Sequence, residues 1–266
     1  MSSDNPYQPP STSVELTSDK TDDVWSFVEP QKVPIGRGLG WIGDGFRYFG
    51  RSAGSWILIT IIYILILILS YFVPFATYIL QPILAGGLMI GLHNQDNGGD
   101  FEISHLFEGF NQAGSKLAIL GLLIIGLWIL VMIAVAILAL IGVAIVSGFE
   151  QGGGDSAVVI GILLIIGIPI MFGIIMILMS VSWFGPPLIA LHDLSVGEAF
   201  KMSIRGLKCN ILPFIVFSFF MMLLFMLTVL TLYIGLLIVI PVFMAATYAS
   251  WKDVFTHANT QNQTVL

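Results

Sequence analysis

Five residues within thirteen positions carry the densest ligating chemistry in this chain: His93, Asp96, Asp100, Glu102 and His105. Imidazole and carboxylate ligands suit zinc or manganese. No HExxH or paired-cysteine spacing accompanies them, and Asn97-Gly98-Gly99 places them in a flexible loop. The reading is a solvated acidic loop, and no metal or cofactor is expected. A second pattern joins three sites: His93 with Asp96, His192-Asp193, and Lys252-Asp253. Each closes an apolar run, where a cation complements the negative end of a helix dipole. They are expected to form one rim.

Catalytic constellations are missing. No GxSxG, Walker loop or Rossmann glycine pattern occurs in context. No Asp, Glu, Lys, Arg or His lies within the apolar runs, where ion-coupled transporters and intramembrane enzymes keep such residues. Gln81 is the most polar group inside them. It reads either as an interhelical hydrogen bond or as a ligand for a neutral solute. No enzymatic activity is expected.

The elements that position these residues are membrane helices. Hydrophobic residues make up 57% of the 266 and charged residues 10%, against about 25% charged in a soluble domain. Apolar runs occupy 55–92, 117–147, 157–191 and 211–249. A span needs about 20 apolar residues. The first and last runs therefore hold two short spans each, turning near Pro74 and between Thr231 and Gly235. Residues 117–147 form one helix of roughly 45 Å, and 157–184 another, ended by Gly185-Pro186-Pro187. Between these two lies an acidic loop, 147–155. The fold class is all-α: a polytopic membrane protein with six spans in three hairpins.

A short amphipathic stretch precedes each hairpin. Leu39, Ile42, Phe46 and Phe49 form the first stripe, Ile103, Leu106, Phe107 and Phe110 the second, and Val196, Phe200, Ile204 and Leu207 the third. Offsets of three, four and seven place each set on one helical face. Such helices lie in the membrane interface. Arg47, Arg51, Lys201, Arg205 and Lys208 accompany them and are candidate lipid-headgroup contacts.

The second helix of each hairpin carries a proline followed four residues later by a small residue: Pro82 with Gly86, Pro169 with Gly173, and Pro241 with Ala245. Each proline frees the carbonyl four residues earlier, which needs a partner in protein or in a wet cavity. Gln81, Pro82, Pro169 and Pro241 thus mark either packed kinks or a central cavity.

All ten Lys and Arg residues fall on one side of this topology. Positive charge is retained on the cytoplasmic side, so both termini are expected there, in a bacterial inner membrane. No signal peptide is expected, since the first apolar stretch begins near Ser55. Residues 1–34 hold six acids and two bases and read as a disordered cytoplasmic tail, followed by a membrane domain over 35–252 and a short tail over 253–266. Val24-Trp25-Ser26-Phe27-Val28 interrupts the tail, either resting on the interface or docking a partner. The single cysteine, Cys209, excludes an internal disulfide and reads as an inert thiol. No basic surface for nucleic acid is present.

The segment Ile83-Leu84-Ala85-Gly86-Gly87-Leu88-Met89-Ile90-Gly91, an acidic linker, and Ser104-His105-Leu106-Phe107-Glu108-Gly109-Phe110 carry a likeness. So do Gly197-Glu198-Ala199-Phe200-Lys201 with Ser203, Asn210 and Pro213-Phe214, and the ending Pro241 to Ser250. Over about 37–255 the chain resembles an uncharacterised family of bacterial inner-membrane proteins. It is distantly similar to the membrane domain attached to some glycerophosphodiester phosphodiesterases, whose phosphodiesterase activity is not expected of these residues. The resemblance implies the six-span fold and carries no established activity to named residues. The expected role is non-enzymatic, organising membrane lipid or a partner protein; the alternative is a facilitator or transporter of a neutral or apolar solute.

Overall fold

The computed structural model describes residues 25–152 and 156–258. In chain order it contains β1 (Trp25–Phe27), α1 (Arg37–Arg51), α2 (Ala53–Ser70), α3 (Ala76–Asp96), α4 (His105–Gly152), α5 (Ser156–His192), α6 (Val196–Cys209), α7 (Ile211–Leu230), α8 (Leu236–Phe255) and β2 (Thr256–Ala258). Six of these helices are long and apolar enough to cross a membrane. The chain is an all-α multi-pass membrane protein.

Each hairpin is entered through the same backbone break. Helical geometry is lost at Ser52 (φ −145°, ψ 46°), Ala113 (φ −142°, ψ 20°) and Asn210 (φ −129°, ψ 28°). Four residues after each break a large side chain is buried: Trp56, Leu117 and Phe214. One turn of helix carries that side chain onto the core-facing side. The second long helix therefore begins at His105, not near 117, because its amphipathic stretch joins the span through the bend at Ala113.

The three segments that lead into the hairpins close a ring. Residues 105–112 pack on α3, α6 packs on α5, and α1 packs on α8 at the other end of the chain. Glycine permits the closest of these approaches. A Cβ on Gly109 would lie 1.9 Å from the Ile83 carbonyl oxygen, and one on Gly45 would lie 2.5 Å from that of Val242. Ile83 and Val242 each follow a span proline, Pro82 and Pro241. The two contacts are therefore equivalent positions of the repeat.

Several sequence expectations change. The buried face of α1 is Gly38, Trp41, Ile42, Gly45 and Tyr48. Of the expected stripe, Leu39 and Phe46 are exposed, because the glycine face fits closely against α7 at Gly38 and α8 at Gly45. Helix α5 does not end at Gly185-Pro186-Pro187 but runs to His192. Proline's fixed φ is itself helical, and these three residues are buried, with Gly185 against Leu120 of α4. Helix α4 continues to Gly152, so the expected outside loop shortens. Its residues 153–155 lie outside the described residues.

The tail is not disordered through residue 34. Phe27 stacks on His192 at 4.1 Å between ring centroids, β1 pairs antiparallel with β2, and Val33 is buried. The island around Trp25 and Phe27 docks on the protein's own C-terminal end. Residues 1–24 lie outside the described residues. At the other end, α8 passes the expected boundary at 252, so Asp253 is helical.

Asn210 ties this strap down. Its side chain accepts from the Val33 amide at 2.8 Å and donates to the Gln31 carbonyl at 2.9 Å and the Gly206 carbonyl at 3.0 Å. A buried donor left unpaired costs about 1–3 kcal/mol. Asn210→Ala is expected to destabilise by about 2 kcal/mol and to free residues 25–34 for proteolysis. Limited proteolysis with terminal sequencing checks it; unchanged cleavage would show that the strap is held elsewhere.

The two short hairpins pair their polar groups within the turn: the Ser70 and Thr77 hydroxyls at 2.6 Å in one, and the Thr231 hydroxyl with the Thr228 carbonyl at 2.9 Å in the other. Every amide from Thr231 to Val239 finds an acceptor inside the turn, that of Gly235 on the Thr231 hydroxyl. Backbone in lipid requires this. The α4–α5 hairpin outruns the others. Its helices are about 55 Å long beyond the Ala113 bend, against about 30 Å for the other four, so it tilts or extends past them.

Candidate functional site

The rim residues meet at the end where α1, α6 and the two strands lie, but they pair across repeats. Asp96 at the end of α3 accepts from the Tyr48 hydroxyl at 3.0 Å, the Tyr248 hydroxyl at 3.3 Å, and the Lys252 ammonium. Asp96 is 11% exposed and Lys252 18%. The His93 imidazole contacts the Tyr248 hydroxyl at 3.4 Å. Burial pushes the Tyr48 phenol well above its usual range, and the negative charge of Asp96 adds to this. The phenol therefore stays a donor at physiological pH.

A second network begins at Asp253, which accepts from Arg37 Nε at 2.5 Å and from the Trp41 indole at 2.8 Å. Arg37 also reaches Asp44 at 2.8 Å, and Asp44 holds Arg47 at 2.9 Å. Burial lowers the Arg37 pKa, but Asp253 and Asp44 outweigh it and the net shift is upward. A third pair joins Lys116 to Asp193 at 2.6 Å. Helix α6 starts with a capping box between Ser195 and Glu198. Hydrogen bonds from Ser195 hold the Glu198 carboxyl below the usual carboxylate range, so this cap is intact at neutral pH and is lost as pH falls through that depressed value.

The five candidate headgroup cations all lie on this end and face outward. Arg47 is 60% exposed and Arg205 61%, the latter only loosely paired with Glu29 at 3.4 Å. The Arg51 guanidinium lies over the Tyr48 ring, 5.4 Å from its centroid. Lys201 and Lys208 are exposed on α6. Exposed apolar side chains stand beside them: Leu39 and Phe46 on α1, Phe107 and Phe110 at the start of α4, Ile211 and Leu212 after α6.

The kink residues do not converge. Pro82 and Pro241 are buried, while Gln81 and Pro169 are exposed. A Cβ on Gly173 would meet open space, unlike Gly86, where one would lie 2.6 Å from the Leu117 side chain. The Tyr78 carbonyl freed by Pro82 abuts Gly121 of α4, 2.6 Å from where a Cβ would stand. That is a protein contact, achieved by a glycine in the neighbouring helix. Among the described residues, no three His, Cys, Asp or Glu side chains converge on a metal position.

Sequence spacing alone missed Tyr48, Tyr248 and Trp41, whose partners are long-range, and Asp44, which joins Arg37 to Arg47 along α1. Gly38 and Gly45, seven apart on α1, were the available signal for its buried face. The chain matches no known family model, no curated protein and no solved structure.

Proposed function

We propose that this protein is a non-enzymatic component of a bacterial inner membrane, with both termini cytoplasmic, that organises lipid at the inner face. The observation that carries the reading is the ring of three amphipathic segments. Each leads into a hairpin; α1 and α6 expose Arg47, Arg51, Lys201, Arg205 and Lys208, and all three segments expose apolar side chains at or near them. Basic residues at a membrane surface contribute about 1 kcal/mol each toward anionic lipid. The positive-inside bias supports the orientation.

The test is native mass spectrometry of the protein released gently from its own membrane. Wild type is expected to retain anionic lipid, and the variant with all five cations changed to Gln is expected to lose most of it. Equal retention by the two overturns the reading. A stoichiometric protein partner that survives the five changes would move the role from lipid to protein organisation.

A further inference from the structure

An open cleft of about 770 Å³ lies where α1 gives way to α2, facing the loop that enters α4. One wall carries Arg51, Ser52 and Gly54, and the opposite wall Asp100, Glu102 and Ser104. No ion pair joins Arg51 to either carboxylate among the described residues. Glu102 is engaged by the Ser104 hydroxyl at 3.3 Å. The cleft therefore holds separated charges of both signs. A simple anion would face two carboxylates, and a simple cation would face Arg51. A zwitterion satisfies both walls.

The place of the cleft narrows the ligand further. It stands at the junction of an interfacial helix and a span, at headgroup depth. Below it, Leu58, Ile61 and Leu65 continue the Gly54 face of α2 at helical spacing, and all are exposed. Acyl chains fit along that stripe. Ser52 makes no side-chain cap on α2, so the first amides of the helix add donors on the Arg51 wall, where a phosphate would sit. An ammonium with three N–H donors matches Asp100 and Glu102.

We propose that this cleft binds the headgroup of a zwitterionic aminophospholipid, the phosphate held by Arg51 and the α2 amides and the primary ammonium by Asp100 and Glu102. This rests on the lipid-organising reading and adds a headgroup specificity to it. It also separates two roles among the cations. Arg51 serves a defined site, while Arg47, Lys201, Arg205 and Lys208 face the bulk surface.

The test uses the full-length protein in nanodiscs of equal phosphatidylethanolamine, phosphatidylcholine and phosphatidylglycerol, released into native mass spectrometry. Wild type is expected to keep one phosphatidylethanolamine at least tenfold over phosphatidylcholine, whose methylated ammonium cannot donate. Gly54→Gln fills the cleft from a position where a Cβ meets nothing within 4 Å. It is expected to fold with unchanged Tm and to lose that adduct at least tenfold. Asp100→Asn with Glu102→Gln is expected to do the same. Equal retention of the three lipids overturns the proposal, as does an adduct that survives these variants. Competition by soluble glycerophosphoethanolamine at lipid-like affinity would overturn the lipid assignment. These variants leave all five cations in place, so the broader reading, tested by changing the cations, stands or falls separately.

Discussion

Gly109→Ala is expected to lower the unfolding free energy by about 3 kcal/mol or more, the upper range for overpacking a tight contact. The added carbon would lie 1.9 Å from the Ile83 carbonyl oxygen and 3.0 Å from its carbon. Both are backbone atoms of a helix, so neither can swing aside. Segment 105–112 must lift off α3, and this also disturbs the contacts of Gly87 with the His105 and Leu106 carbonyls. Gly45→Ala is expected to act in the same direction on the α1–α8 contact, by a smaller amount, since the clash is 2.5 Å. Gly126→Ala, Gly142→Ala and Gly173→Ala are the controls. No atom stands within 4 Å of their Cβ positions, so each should stay within about 0.5 kcal/mol of wild type or gain slightly. Titration of the protein from mild detergent into SDS, followed by tryptophan fluorescence, measures all five. A cost at the controls equal to that at Gly109 would refute the close-approach account.

The second large effect is expected at the rim. Among the described residues, Lys252→Met leaves Asp96, 11% exposed, with the Tyr48 and Tyr248 phenols as donors to its charge. Removing one partner of a buried ion pair costs about 3–5 kcal/mol. The low end applies here, because Lys252 keeps 18% exposure and water reaches part of the site. The double variant with Asp96→Asn removes the stranded charge as well, so it should recover a large part of the loss. A double-mutant cycle on the same SDS titration isolates the coupling. A double variant no more stable than Lys252→Met alone would mean that the site tolerates the lone carboxylate. The pair joins the end of α3 to the end of α8, so its loss should also loosen ring closure. Faster hydrogen exchange in α1 would report that.

Local features were legible because they depend on neighbours in sequence. The apolar runs, the turn at Pro74, the turn after Leu230 and the Ser195–Glu198 capping box each follow from composition or spacing within a few residues. The one-sided distribution of Lys and Arg is equally a property of the chain alone. The Ala113 bend was less legible, because nothing in Gln112-Ala113-Gly114 announces a break. Only the need to turn an interfacial segment into a span requires it there. The run through Gly185-Pro186-Pro187 was misleading for the opposite reason. Proline's fixed φ is compatible with a helix, and the burial of these residues, with Gly185 against Leu120 of α4, is a tertiary contact that local sequence does not announce.

By itself, then, the sequence determined the all-α multi-pass class, the six apolar spans and the positions of the charges between them. All of these are short-range periodicities or charge positions that hold whatever the spans touch. Tertiary structure decided which face each entry helix buries, that α1 closes the ring on α8, that Asp96 pairs with Lys252 in another repeat, and that residues 25–34 strap the C-terminal end. Those choices depend on surfaces from about 20 to about 230 residues apart. There, a missing Cβ or a single carboxylate selects among faces that hydropathy ranks alike.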